Sequence, residues 1–157
     1  DAIVAGLGNA GAVKGRQIPH RLGNGAVLVD DSYNANPGSV AAAIATLAQS
    51  GDEAWLVLGD MKELGETAAQ LHADIGAQAR RAGLRKVWTV GELAREASRA
   101  FGDGARHFDS QAALVAALAG ELHAGVRCLV KGSRSSAMDK VVDALLAQDK
   151  GEAGHAA

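Results

Sequence analysis

Short, mostly apolar runs recur along this chain: residues 26–29 (AVLV), 54–58 (AWLVL), 87–90 (VWTV) and 126–130 (VRCLV). A strand that is apolar on both of its alternating faces must be covered on both sides, which is the usual condition of a strand in a parallel sheet. Between the runs, apolar residues recur at helical spacing: Val40, Ile44 and Leu47; then Leu71, Ile75, Ala79 and Ala82; then Leu114, Leu118 and Leu122. Met138, Val141, Val142, Leu145 and Leu146 complete the series as one helix face. A weaker helix at 92–101 leads through a Gly-Asp-Gly turn to a short strand at 105–108, after which Asp109 is the expected N-cap. Upstream, "RQIPHRLGNGAVLVDD" reads as a hairpin turning at Gly23-Asn24-Gly25, with Pro19 on an edge strand. The expected fold is therefore α/β: an open Rossmann-like sheet of about six strands, mostly parallel with one antiparallel edge strand, and helices on both faces.

Bulk properties narrow the function. The 157 residues fit one domain, with 1–14 expected as an interdomain linker or helix end, 15–147 as the folded unit and 148–157 ("QDKGEAGHAA") as a disordered tail. Aromatics are 3% of a chain that is 48% hydrophobic, so the core is expected to be aliphatic. A net charge of -2 gives no general attraction to nucleic acid or anionic membrane. Cys128 is the single cysteine, which rules out an internal disulfide. No apolar run approaches the roughly 18 residues of a spanning helix, and the N-terminus lacks a signal pattern. A cytoplasmic location is expected, without membrane insertion. The chain starts at Asp1 rather than Met, and we expect a piece of a longer protein.

In open sheets of this type, ligands bind beyond the C-terminal ends of the strands. Those ends read "DDSYNANP", "GDMKELGE", "VGEL", "FDS" and "KGSRSS". In the first, Asn36 before Pro37 is a helix start, N-cap and N1. That accounts for Asn36 and Pro37 but not for Asp30, Asp31, Tyr33 and Asn34. Carboxylates at a strand end can accept ribose hydroxyl hydrogen bonds or hold a metal, and amides suit a base or peptide group. In "KGSRSS", Lys131 ends the strand, Gly132 permits close backbone approach, and Ser133 or Ser135 is expected to cap the next helix. Lys131, Arg134 and that helix N-terminus would together attract an anion. "GDMKELGE" is a weaker signal, a polar connection carrying Asp60 and Lys62. The five histidines show no metal-ligand spacing, so no metal site is expected, and Cys128 reads as buried and inert. "GLGNAG" at 6–11 matches G-x-G-x-x-G, but Gly15 and Pro19 interrupt the helix that a dinucleotide site requires. No Gly-Lys dipeptide occurs, so a Walker A phosphate loop is absent from the chain.

Three segments, "KGRQIPHR…VLVDDSYNANPGSV", "LVLGDMKELGE" followed by His72, and "LVKGSRSSAMDKVV", look in order and spacing like the C-terminal domain of the Mur ligases. The resemblance runs over about residues 3–146, and the loops "DDSYNANPGS" and "KGSRSSAM" together resemble those of the D-Ala-D-Ala-adding branch. It implies a mobile third domain that closes over ATP, bound with Mg²⁺ mainly by a central domain, behind a first domain for the UDP-sugar. It implies ligation of D-Ala-D-Ala to UDP-MurNAc-tripeptide in peptidoglycan precursor synthesis, through an acyl phosphate, with the isolated domain inactive. By the same resemblance, Arg16 lies near the nucleotide phosphates and Asp31 binds the ribose hydroxyls. Tyr33, Asn34 and Asn36 lie in a loop facing nucleotide and dipeptide, and Lys131, Ser133 and Arg134 lie where the dipeptide binds. Three other readings compete. A phospho-receiver would use Asp30, Asp31, Asp60 and Lys131, but Asp60 follows the wrong strand for it. A folylpolyglutamate synthase C-terminal domain would use glutamate as acceptor. A plain binding or scaffold domain would tolerate alanine in its rim loops.

Overall fold

The computed structural model describes residues 15–156; the expected linker at 1–14 and the "GLGNAG" segment lie outside them. The expected hairpin forms. β1 (Ile18–Arg21) pairs antiparallel with β2 (Val27–Asp31), and Pro19 sits opposite Val29 on the sheet edge, where its missing N–H interrupts no central ladder. Gly25 turns the hairpin at φ +92°, and a Cβ there would come within 2.8 Å of the Ala124 methyl. The chain continues through α1 (Pro37–Ala48), β3 (Glu53–Leu58), α2 (Ala68–Arg81), β4 (Lys86–Val90), α3 (Arg95–Phe101), β5 (Ala105–Phe108), α4 (Gln111–Glu121), β6 (Val126–Lys131) and α5 (Asp139–Ala156).

The sheet order is β1-β2-β6-β3-β4-β5, and every pairing but the first is parallel. The last strand is thus inserted between β2 and β3. That puts Lys131 in register with Asp31 on one side and Leu58 on the other. The loops after β2, β6 and β3 become neighbours, although they lie about 30 to 100 residues apart in the chain.

Alternating side chains build two core layers. Leu56, Leu58, Val87 and Leu129 pack under Val40 and Ile44 of α1, Ile75 and Ala79 of α2, and Phe101 of α3. Trp55, Val57, Cys128 and Val130 face the other way, under Leu114 and Leu118 of α4 and Val141, Val142 and Leu145 of α5. Burying each such Leu or Ile contributes about 1.5–3 kcal/mol. The second layer is less aliphatic than the composition implies: Trp88 stacks between Trp55 and Phe108, with ring centroids 5.2 and 5.4 Å away.

Three local expectations need correction. β2 runs to Asp31 rather than stopping at Val29, because Asp30 and Asp31 pair with Val130 and Lys131. The buried stripe of α2 is Ala68, His72, Ile75, Gly76 and Ala79, with Leu71 only half-buried. Gly76 sets that rotation, since any Cβ there would collide with the Ala97 carbonyl of α3. Ser110, not Asp109, caps α4, its hydroxyl accepting the Ala113 N–H at 3.1 Å. Residues 148–156 continue α5. Asp149 accepts the Gly23 N–H at 2.8 Å, tying this helix to the hairpin.

Candidate functional site

The loop after β2 is shaped by its own side chains. Asp30 accepts both the N–H and the hydroxyl of Ser32 through one carboxylate oxygen, Oδ1, which forms a local turn. Asn36 caps α1 as expected, accepting the Ser39 N–H at 2.8 Å, while Ser39 Oγ accepts the Asn36 N–H at 3.0 Å. Pro37 follows at the first helical position. Of the two aspartates, only Asp31 takes part in the cleft next to this loop.

That cleft encloses about 430 Å³ and is lined by Arg16, Asp31, Tyr33, Asn34, Asn36 and Lys131, with Gln17 and small residues of α1, among them Ala42 and Thr46. Six of the eight residues singled out by sequence therefore meet in one place, at the C-terminal rim of the parallel strands. Arg16 and Arg134 both lie over the Tyr33 ring, 4.2 and 4.9 Å from its centroid, and Arg134 also donates to the Tyr33 hydroxyl at 3.3 Å. Both arginines are exposed, so each can turn donors toward an anion.

Lys131 and Ser133 are placed differently. Lys131 is 4% exposed, and its ammonium donates to Asp31 Oδ2 at 3.0 Å and to the Asn34 carbonyl at 3.0 Å. The Ser133 hydroxyl accepts the Lys62 N–H at 2.7 Å and points at the Ala35 carbonyl, 3.5 Å away. Neither Ser133 nor Ser135 caps a helix. A 3-10 turn at Arg134–Ser136 and a left-handed Ala137 (φ 55°) intervene, and α5 starts only at Asp139. The expected anion-binding helix terminus in "KGSRSS" is therefore absent, leaving Arg134 as the outward-facing cation of that loop. Gly132 meets its expectation of close approach: a Cβ there would lie 2.6 Å from Ser136 Oγ and 2.7 Å from Met138 Cγ.

Three further residues support the site. Gln17, at φ 56°, donates to Asp31 Oδ2 at 3.2 Å. Asp60, 7% exposed, accepts the Ala94 N–H at 2.7 Å through its side chain and the Ser133 N–H at 3.0 Å through its carbonyl. It is thus a bridge between rim loops, poorly placed as an exposed phosphate acceptor. His72 is fully buried and accepts the Met61 N–H at Nε2 (2.9 Å), so Nδ1 carries the hydrogen donated to the Ala68 carbonyl at 2.7 Å. In the sequence it stood out only through the resemblance, as the histidine after "LVLGDMKELGE", while the apolar spacing of α2 points one residue away. The lone thiol, Cys128, is pushed up to about 12 by burial and is chemically quiet. Among the described residues, no group of three or more His, Cys, Asp or Glu side chains could hold a metal ion. No described helix is long and apolar enough to cross a membrane.

Known proteins resemble this chain in sequence and in fold. The chain is 44% identical over 147 residues to the UDP-N-acetylmuramoyl-tripeptide–D-alanyl-D-alanine ligase of Escherichia coli, a match covering 92% of this chain and 32% of that protein. The ligase of the same name from Haemophilus influenzae is 34% identical, over 91% of this chain and 32% of its own length. The chain thus spans about a third of the length of these relatives. Among solved structures, MurF from Acinetobacter baumannii superposes with a TM-score of 0.77 at 31% identity, covering 91% of this chain and 33% of that one. The MurF ligase of Thermotoga maritima in complex with ADP gives 0.78 at 24% identity, over 90% and 32%, and supports the fold. Residues 15–134 match the family described as Mur ligase, glutamate ligase domain. With that match over most of its described residues, the chain belongs to the Mur ligase family.

Proposed function

We propose that this domain is the nucleotide- and dipeptide-facing part of an ATP-dependent ligase that joins D-Ala-D-Ala to UDP-MurNAc-tripeptide. The observation that carries the reading is the convergence of Arg16, Asp31, Tyr33, Asn34 and Asn36 on one cleft at the C-terminal rim, in a chain whose relatives bear that ligase name. ATP transfers its γ-phosphoryl group to the terminal carboxylate of the tripeptide and leaves as ADP. The free amine of D-Ala-D-Ala attacks the acyl phosphate, and the tetrahedral intermediate expels phosphate, forms the amide and loses a proton.

The residues of this domain hold and screen rather than transfer atoms. Asp31 accepts hydrogen bonds from ribose hydroxyls, with Tyr33 and Asn34 beside it. Arg16 neutralises phosphate charge, and Arg134 meets the dipeptide carboxylate, since it is exposed and a guanidinium forks onto a carboxylate. Asn36, exposed at the α1 terminus, lies beside them in the cleft. Mg²⁺ supplies charge neutralisation at the phosphates. The described residues offer no cluster to hold it, and its ligands are assigned to the preceding domains, with which this one closes. The reaction takes place in the cytoplasm, where the nucleotide-linked precursor would be met, and this domain alone turns over nothing.

The full-length protein tests this directly. Phosphate release from ATP should require both UDP-MurNAc-tripeptide and D-Ala-D-Ala, and Asp31→Ala should raise the KM for ATP at least tenfold. Release dependent on glutamate in place of the dipeptide would overturn the reading in favour of a folate-type ligase. Turnover by residues 15–156 alone would overturn the division of labour.

A further inference from the structure

Within that proposed site, one residue has a place that its sequence context conceals. Lys131 stands in a cationic loop, as a carboxylate ligand would, but its ammonium is buried. It is already bound to Asp31 Oδ2 and the Asn34 carbonyl, both at 3.0 Å. Reaching outward to a dipeptide would strip Asp31, itself 6% exposed, of its charge partner. The pairing is built into the sheet, because Lys131 and Asp31 are register partners in the parallel β2–β6 ladder. Gln17 Nε2 donates to the same oxygen, Oδ2, at 3.2 Å. Among the described residues, no hydrogen bond reaches Asp31 Oδ1, and Asp31 lines the cleft. One carboxylate oxygen is thus clamped and the other is left for a ligand hydroxyl. The Asn34 carbonyl, held by the same ammonium, anchors the loop that carries Tyr33.

We propose that Lys131 is a positioning residue for the nucleotide half of the site and not a ligand of the dipeptide. This inference rests on the ligase reading above. It fixes Asp31 and the Asn34 backbone in the geometry that ribose hydroxyls meet, while Arg134 serves the dipeptide carboxylate.

The test is a kinetic split in the full-length ligase. Lys131→Met should raise the KM for ATP at least tenfold and leave the KM for D-Ala-D-Ala within about twofold, whereas Arg134→Ala should do the reverse. In a double-mutant cycle with Asp31→Asn, the Asp31→Asn/Lys131→Met protein should have the ATP KM of Asp31→Asn alone, because Lys131 acts through Asp31. The double variant leaves no orphaned charge, so the comparison survives if Lys131→Met fails to fold. A Lys131→Met protein whose KM rises for D-Ala-D-Ala and not for ATP would overturn the inference and leave the ligase reading intact. So would additive effects of the two substitutions on the ATP KM. A wild-type protein whose ATP consumption ignores D-Ala-D-Ala would remove the ligase reading and the inference with it.

Discussion

Two clefts of similar size lie at opposite ends of the sheet, and only one has the chemistry of a binding site. The rim cleft encloses about 430 Å³ and the other about 480 Å³. The second is lined by charges of both signs, Asp52 and Glu53 at the start of β3, Arg80 and Arg85 at and after the end of α2, and Asp103 between α3 and β5. Arg80 is occupied in closing the α3 terminus, donating to the Phe101 carbonyl at 2.7 Å and lying 5.7 Å from the Phe101 ring. At the rim cleft, by contrast, a buried ion pair holds one carboxylate and two exposed arginines flank one aromatic ring. Preorganised polar groups distinguish the two clefts; volume does not.

Stability measurements should separate them most sharply. Lys131→Met leaves the buried Asp31 carboxylate uncompensated, and we expect a loss of about 3–5 kcal/mol, read from urea unfolding of the domain. Arg80→Ala, in the opposite cleft, removes a hydrogen bond at an exposed side chain and should cost about 0.5–1.5 kcal/mol. Equal losses would break the comparison. His72→Phe keeps the volume near the rim but orphans the Met61 N–H, so about 1–3 kcal/mol should be lost, with faster amide exchange at Met61 and Lys62. Asn36→Ala removes the α1 cap and should cost about 1 kcal/mol, seen as a lower melting temperature with unchanged folding cooperativity.

The smallest effect is one of pH, away from both clefts. Burial, aided by Arg95, lowers the His107 pKa below its ordinary 6.5. The fold thus favours the neutral ring, whose Nδ1 lies 2.8 Å from Thr89 Oγ1. Its contribution is present above pH 6.5 and fades as the pH falls through the lower folded value. His107→Gln should flatten the stability profile between about pH 7 and 5. A profile unchanged by that substitution would show that other groups set the acid limb.

The rim was partly legible because polar residues gathered where apolar runs stopped. "DDSYNANPGS" exceeds what a helix cap needs, and Asn36 and Pro37 took their expected places. Ser133 misled because a serine before a helix reads as a cap whatever it contacts. Here its hydroxyl is taken by the Lys62 N–H, from a loop 71 residues earlier in the chain. The burial of His72 was not legible from spacing, because helical periodicity tolerates a one-residue rotation, here the one that brings Gly76 against the Ala97 carbonyl of another helix.

By itself, then, the sequence determined the class of fold, the antiparallel edge and the rim on which polar groups collect. These follow from local rules: alternation of apolar runs with helical spacing, turn residues, and a proline that cannot serve a central ladder. Only the tertiary structure decided the strand order. Placing β6 between β2 and β3 sets Lys131 beside Asp31, 100 residues away, and turns an apparently free cation into a buried partner. A lysine's charge is written in the sequence, but whether that charge is available depends on what folding brings within 3.0 Å of it.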